Sequence, residues 1–225
     1  VTAWLTRIIP NPRSADARRD ITGTDAAIHL HRRLMALFPD HAGPDPRARF
    51  GVLFRTDDTP TGPHILLQST HEPDLDRLPD SYSTTALTRP LDPLLDALRP
   101  GLTIRYRCVA NAIRKPGATT RALYDLPAVV PLTGAAADDW WTRQADAAGI
   151  KPLTLHSQPL DTVHGRRSTH GPAAHQRIRH ARTRFDGTAA IIDADLLRTK
   201  ITEGIGRGKP YGCGLLSIAP ARNAG

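Results

Sequence analysis

The segment 204–216, GIGRGKPYGCGLL, places five glycines and two cations within thirteen residues. Glycines beside Arg207 and Lys209 are residue types that bring backbone amides and positive charge against phosphate. A dinucleotide fingerprint, however, follows a strand and opens a helix, so that the helix N-terminus meets the anion. Here the order is reversed, because a helical pattern precedes the glycines and a strand pattern follows them. The Walker arrangement fails too, since Pro210 stands where a hydroxyl side chain would reach magnesium. Two readings are left: a loop that approaches the backbone of a longer polyanion, and a helix stop with a tight turn. Both can hold at once.

A second group of residues points to a polyanion. Residues 164–184, HGRRSTHGPAAHQRIRHARTR, hold six arginines and four histidines in 21 positions, with no carboxylate. A solvated face mixes both signs, whereas a block of one sign repels itself unless an anion lies against it. The arginines are Arg166, Arg167, Arg177, Arg179, Arg182 and Arg184. The histidines lack metal-ligand spacing and carboxylate partners, so no metal and no cofactor is expected.

Composition bounds the rest. The 225 residues are 40% hydrophobic, enough for one large core or two small ones, with a formal net charge of +8. Of thirty basic residues only four are lysine, and arginine forks match phosphate pairwise. A G+C-rich genome also enriches arginine, so distribution weighs more than total. No apolar run approaches the roughly 20 residues of a membrane span, and the opening VTAWLTRIIP lacks the long apolar stretch of a signal peptide. A cytoplasmic protein with no membrane partner is expected. Cys108 and Cys213 are too few for a disulfide framework and read as small buried residues.

The elements that must position these residues follow from periodicity. Residues 2–9 read as a strand, NPRS as a turn, and AAIHLHRRLMALF as a helix with an apolar stripe at Ala27, Leu30, Leu34 and Leu37 or Phe38. FGVLFR (50–55) and HILLQS (64–69) are strands; EPDLDRLPD is a short helix, and 83–89 a weak strand. The order then recurs: strand 102–110, helix 135–148, strands 152–160 and 183–192, helix LLRTKITE capped by Asp193 or Asp195 and ended by Gly204, strand 212–219. Asp57 and Asp58 read as loop residues, and Asp138 and Asp139 as helix-start residues. Two βαββαβ units define an α+β chain of two tandem ferredoxin-like (RRM-like) domains, 1–98 and 101–225.

Taken together, GIGRGKPYGCGLLSIAP, the opening NPRSADARRD with HRRLMALFPD, and RYRCVANAIRK resemble the CasE family, the endoribonucleases that process CRISPR RNA in type I-E systems. These landmarks bracket nearly the whole chain, and 118–182 is the weakest match. The resemblance implies binding of the CRISPR repeat stem-loop, in precursor and mature CRISPR RNA, and assembly with other Cascade subunits. It implies metal-independent cleavage at the 3′ side of the stem, leaving a 2′,3′-cyclic phosphate and a 5′-hydroxyl.

Such a cleavage needs a base for the 2′-hydroxyl proton, an acid for the departing 5′ oxygen, and cations for the charge on phosphorus. By the resemblance, His31 occupies the place of the catalytic histidine. Three residues earlier the family commonly carries a tyrosine where this chain has Ile28, which moves no proton. His29, Tyr211 and Tyr124 are the substitutes within the chain. Arg18, Arg19, Arg32 and Arg33 are expected to flank the cut site, Arg114, Lys115, Arg207 and Lys209 to face RNA from the second unit, and the six arginines of 164–184 to lie along an A-form stem. Aromatic residues are only 5% of the chain, which favours a folded duplex over stacked single strands. The alternatives are a catalytically weak RNA-binding Cascade subunit and a small-ligand-sensing ferredoxin-like protein.

Overall fold

The computed structural model describes residues 3–40, 43–167 and 176–221, with 164–167 and 176–179 described by backbone alone. The first part runs β1 (Trp4–Pro10), α1 (Ala15–Ile21), α2 (Ala26–Met35), α3 (Pro46–Arg49), β2 (Leu53–Thr59), β3 (Gly62–Ser69), a 3-10 turn (Leu75–Arg77), β4 (Ser83–Pro90) and α4 (Asp92–Asp96). The second runs β5 (Thr103–Ala110), β6 (Ile113–Arg114), α5 (Ala118–Tyr124), β7 (Val130–Pro131), α6 (Ala135–Asp146), β8 (Ile150–Pro152) and β9 (His156–Arg167). It ends with β10 (Gln176–Ile191), α7 (Ala194–Glu203), a 3-10 turn (Lys209–Tyr211) and β11 (Leu216–Pro220).

Two antiparallel sheets result. The first has the order β2-β3-β1-β4 and the second β11-β5-β10-β8, with β9 paired to the free length of β10. Each order places the third strand of its βαββαβ set beside the first, which is the ferredoxin-like pattern. The fold is therefore α+β, two ferredoxin-like sheets in tandem.

Helix and strand periods explain the two cores. On α2, Leu30 and Leu34 fall on the face packed over the first sheet, joined by Leu37, Phe38, Phe54, Ile65 and Leu67. Under α6 the Trp141 ring lies flat on Phe185, centroids 4.9 Å apart, and on Tyr106 at 5.4 Å. Cys108 and Cys213 are fully buried, and burial pushes both thiols up to about 12, so neither is a nucleophile at neutral pH.

The first sheet is covered on both faces. Phe54 turns toward α2, and its neighbours Leu53 and Arg55 turn toward the second part of the chain. Arg55, 3% exposed, donates through Nη1 to the carbonyls of Arg107 (3.2 Å) and Leu215 (3.3 Å), while Nε and Nη2 grip the Asp57 carboxylate at 2.8 Å each. Buried Gln68 donates to the Ile201 carbonyl at 2.6 Å. The glycine-rich segment lies against the same surface. Gly204 has φ +78°, and a Cβ there would sit 2.7 Å from the Leu53 side chain; Gly212 has φ +77° and rests on the Phe54 ring. These glycines turn the chain from α7 into β11 and let two sheets approach closely, which answers one half of the question the motif poses.

Several boundaries differ from expectation. A short helix, α1, fills 15–21; its apolar content is too low to announce it, but Ser14 caps it by accepting from the Ala17 amide. The strand expected at 50–55 begins at Leu53 and continues to Thr59, because β3 supplies partners as far as Thr59↔Gly62. Asp57 and Asp58 thus stand on a strand instead of a loop, and Asp57 serves Arg55. The strand expected at 152–160 divides into β8 and β9. The last strand starts at Leu216, since Gly212 and Gly214 are in the left-handed region.

Breaking a buried pair leaves an uncompensated charge or unpaired acceptors. Arg55→Met should cost about 3–5 kcal/mol in urea denaturation. A midpoint equal to that of the unmodified protein would show that Arg55 does not hold the sheets together.

Candidate active site and nucleic-acid interface

One end of the second sheet gathers the cationic segments. Pairing of β10 with β5 begins at Thr183↔Ala110, whereas pairing with β9 runs on to Gln176↔Arg167. Within the block, residues 164–167 and 176–184 are therefore the root and shaft of a two-stranded arm that outruns its sheet. Arg166, Arg167, Arg177 and Arg179 sit on the shaft, where Arg177 pairs with Arg166 in register; their side chains lie outside the described residues, as does the stretch 168–175. At the root, Arg182 donates to the Asp161 carbonyl at 3.0 Å and Arg184 pairs with Asp186 at 2.7 Å. Exposed Arg114 and Lys115 follow β5 at this same end. The glycine-rich turn arrives there as well, its Gly214 amide donating to the Val109 carbonyl, and it carries exposed Arg207 and half-buried Lys209.

The first part of the chain contributes α2. The 3-10 turn Lys209–Tyr211 packs on α2 and on β2, and β9 also touches α2. Between them runs a groove of about 320 Å³, with Ala27, Leu30 and Phe54 on one side and Val163, Arg182 and Tyr211 on the other. The arm and α2 thus face each other.

His31 is on the same helix but does not itself line the groove; it is half-buried, and its ring stacks on Phe54, which does line it, with centroids 6.1 Å apart and planes 23° apart. Its Nδ1 is buried without a hydrogen-bond partner among the described residues. Burial holds its pKa below the usual histidine value, and the Arg47 and Arg32 charges push in the same direction. The imidazole is therefore neutral at pH 7, the form that accepts a proton. Arg47, on α3, also depresses the Lys209 ammonium, whose shift comes mainly from burial. Sequence reading passed over Arg47, because nothing in DPRARF marks a surface arginine that folds back toward a histidine sixteen positions earlier.

The remaining expected cations divide by what they already hold. Arg33 pairs with the buried Asp20 at 2.8 Å and with Asp16 at 3.3 Å, and lies 5.2 Å over the Tyr82 ring, so it ties α1 to α2. Arg19 pairs with Asp16 at 2.6 Å, and Arg18 donates to the Pro12 carbonyl at 3.0 Å; both are exposed. Arg32 is exposed beside His31.

The fold and this site define a protein of two ferredoxin-like sheets with cations and an imidazole gathered at their shared end. The chain belongs to the CRISPR-associated protein family, whose profile matches residues 3–220. It is 29% identical to the CRISPR-associated endoribonuclease Cse3 of Thermus thermophilus, over 96% of this chain and 100% of that one. It is 28% identical to the CRISPR system Cascade subunit CasE of Escherichia coli, over 85% of this chain and 90% of that one. The structure of Thermus thermophilus Cse3 bound to an RNA representing a pre-cleavage complex superposes with a TM-score of 0.76 at 26% identity, covering 98% of this chain and 100% of that one.

The His31 environment is measurable. Because the unfolded chain binds this proton better than the folded one, stability rises with pH between the lowered value and about 6.5. In a proton NMR titration of the RNA-free protein the His31 midpoint should fall below 6.5. Arg47→Ala should raise that midpoint without restoring it fully, since burial persists. A wild-type midpoint at or above 6.5 would contradict the assigned environment.

Proposed function

We propose that this chain is a metal-independent endoribonuclease that binds the stem-loop of a CRISPR repeat and cuts precursor CRISPR RNA at the 3′ side of the stem. The products are a 2′,3′-cyclic phosphate and a 5′-hydroxyl, and the protein keeps the mature RNA as a subunit of a Cascade complex. The observation that carries this reading is the convergence of the arginine arm and the helix bearing His31 on one groove, in a chain of the CRISPR-associated family. The two sheets correspond to units 1–98 and 101–225, and the work is placed in the cytoplasm. Among the described residues no helix is long and apolar enough to cross a membrane.

The arm is long enough to follow an A-form stem, whose base edges are hidden and whose phosphates are not. Its arginines hold the duplex, and exposed Arg18, Arg19, Arg32, Arg114, Lys115 and Arg207 extend the cationic track on either side. At the scissile linkage, neutral His31 takes the 2′-hydroxyl proton as that oxygen attacks phosphorus. Arg32 and Arg47 act on the same imidazole, with Lys209 beside Arg47, and these cations stabilise the extra charge.

One observation favours a second reading, a subunit that binds and retains the stem-loop with little cleavage. Position 28, one helical turn before His31, is an isoleucine and supplies no proton.

The deciding experiment incubates the protein with its repeat RNA in EDTA. Cleavage should persist, and His31→Ala should slow it at least 100-fold while leaving RNA affinity unchanged. The rate should rise with pH through the lowered His31 pKa, because the base works only when neutral. Tight binding without cleavage supports the second reading, and EDTA-sensitive cleavage would overturn the metal-independent mechanism. Replacing Arg166, Arg167, Arg177 and Arg179 with alanine should weaken binding and flatten its salt dependence, by roughly 0.7–0.9 in log–log slope per lost phosphate contact. An unchanged slope would remove the arm from the interface.

A further inference from the structure

The site as described has a base and cations but no group that protonates the departing oxygen. Four tyrosines are available, and the structure separates them. Tyr82 is 1% exposed in the first core, and burial with the Asp20 charge raises its phenol far above the ordinary value. Tyr106 is buried under α6 and donates its hydroxyl to the Thr154 carbonyl at 3.0 Å. Tyr124 is 66% exposed on α5, and its side chain has no part in the groove. Tyr211 differs from all three. It lines the groove opposite Ala27 and Leu30, and its hydroxyl is neither sealed off nor hydrogen-bonded to any described residue.

Tyr211 is also held in place. Its ring stacks on His180 with centroids 4.3 Å apart and planes 28° apart, and His180 is fixed through Nδ1, 2.9 Å from Asn111 Nδ2. The next residue, Gly212, rests on the Phe54 ring, whose own stack is His31. One aromatic side chain therefore separates the imidazole from the backbone that carries the phenol. The 3-10 turn bearing Tyr211 packs directly on α2, the helix from which the expected tyrosine is missing.

We propose that the Tyr211 hydroxyl is the second proton-transfer group of this site, supplied from the glycine-rich turn to the groove along α2, the helix on which Ile28 provides no donor. This assignment rests on the endoribonuclease reading above. As the 2′ oxygen forms its bond to phosphorus and gives its proton to His31, the bond from phosphorus to the 5′ oxygen breaks, and Tyr211 delivers its proton to that oxygen. The phenolate then regains a proton from water. His180 and Asn111 are positioning residues, since they act by holding the phenol.

The test separates an acid from a structural ring. Tyr211→Phe keeps the ring on His180 and removes only a hydroxyl that holds nothing else, so its melting temperature and RNA affinity should match wild type. On ordinary repeat RNA it should cut about 100-fold more slowly. On RNA whose 5′-bridging oxygen at the mapped cut site is replaced by sulfur, the thiolate leaves without a proton, and Tyr211→Phe should match wild type. His31→Ala should be slow on both. A Tyr211→Phe variant as fast as wild type on ordinary RNA, or equally slow on both RNAs, overturns the assignment while leaving His31 in place. A wild-type protein that binds but does not cut either RNA removes the endoribonuclease reading itself, and this inference with it.

Discussion

The site exists only because two sheets are clamped at a fixed angle, and Arg55 is the clamp. Its guanidinium is buried, which is costly unless every donor finds an acceptor. Asp57, two residues along the same strand, neutralises the charge through Nε and Nη2, and across the junction the carbonyls of Arg107 and Leu215 accept from Nη1. Those carbonyls belong to β5 and to the residue just before β11, the strand and turn from which the arm's pairing and the glycine-rich turn depart. A rotation between the sheets would carry the Arg55–Asp57 pair with β2 but take Nη1 off both carbonyls, leaving buried donors and acceptors unpaired. The relation of α2 to the arm is thus set by hydrogen bonding as much as by packing.

Close approach is the second requirement, and it explains the glycines better than phosphate binding does. Gly204 and Gly212 lie on Leu53 and Phe54, consecutive residues of β2 that point to opposite faces. A Cβ at Gly204 would collide with Leu53 and push the turn off β2, while at Gly212 the Phe54 ring leaves room and it is the positive φ that favours glycine. The turn carries Arg207 and Lys209 to this end of the sheet, but its glycines serve the junction first.

Much of this was legible before the fold. Alternation in LTIRYRCVA marked β5, the Leu30–Leu34 stripe marked α2, and Asp193 marked the start of α7, where its carboxylate accepts from two amides. What escaped reading shares one physical cause: its stability comes from partners far along the chain. The one-sign block already suggested a hairpin or arm, but its strand bounds did not show, because the shaft lacks apolar alternation and its strands are held by backbone pairing to one another. Arg55 looks like a solvent-facing strand residue until a second sheet covers it, and Arg47 gains meaning only when α3 folds beside His31. Tyr211 was visible as one of several phenols, yet only its place in the groove and its stack on His180 distinguish it from Tyr124.

The electrostatics of the groove tie binding to chemistry. In the RNA-free protein, burial and the charges of Arg47 and Arg32 all disfavour the imidazolium form of His31. A phosphodiester seated among those same arginines brings negative charge into the space they polarise, and so opposes the two coulombic causes while leaving burial in place. The two smaller causes would then weaken while burial, the largest, continues to favour the neutral imidazole. A histidine held neutral by burial, and by neighbouring arginines after it, is in a form that can accept a proton, and a polyanion drawn to those arginines would relieve only the smaller part of that bias.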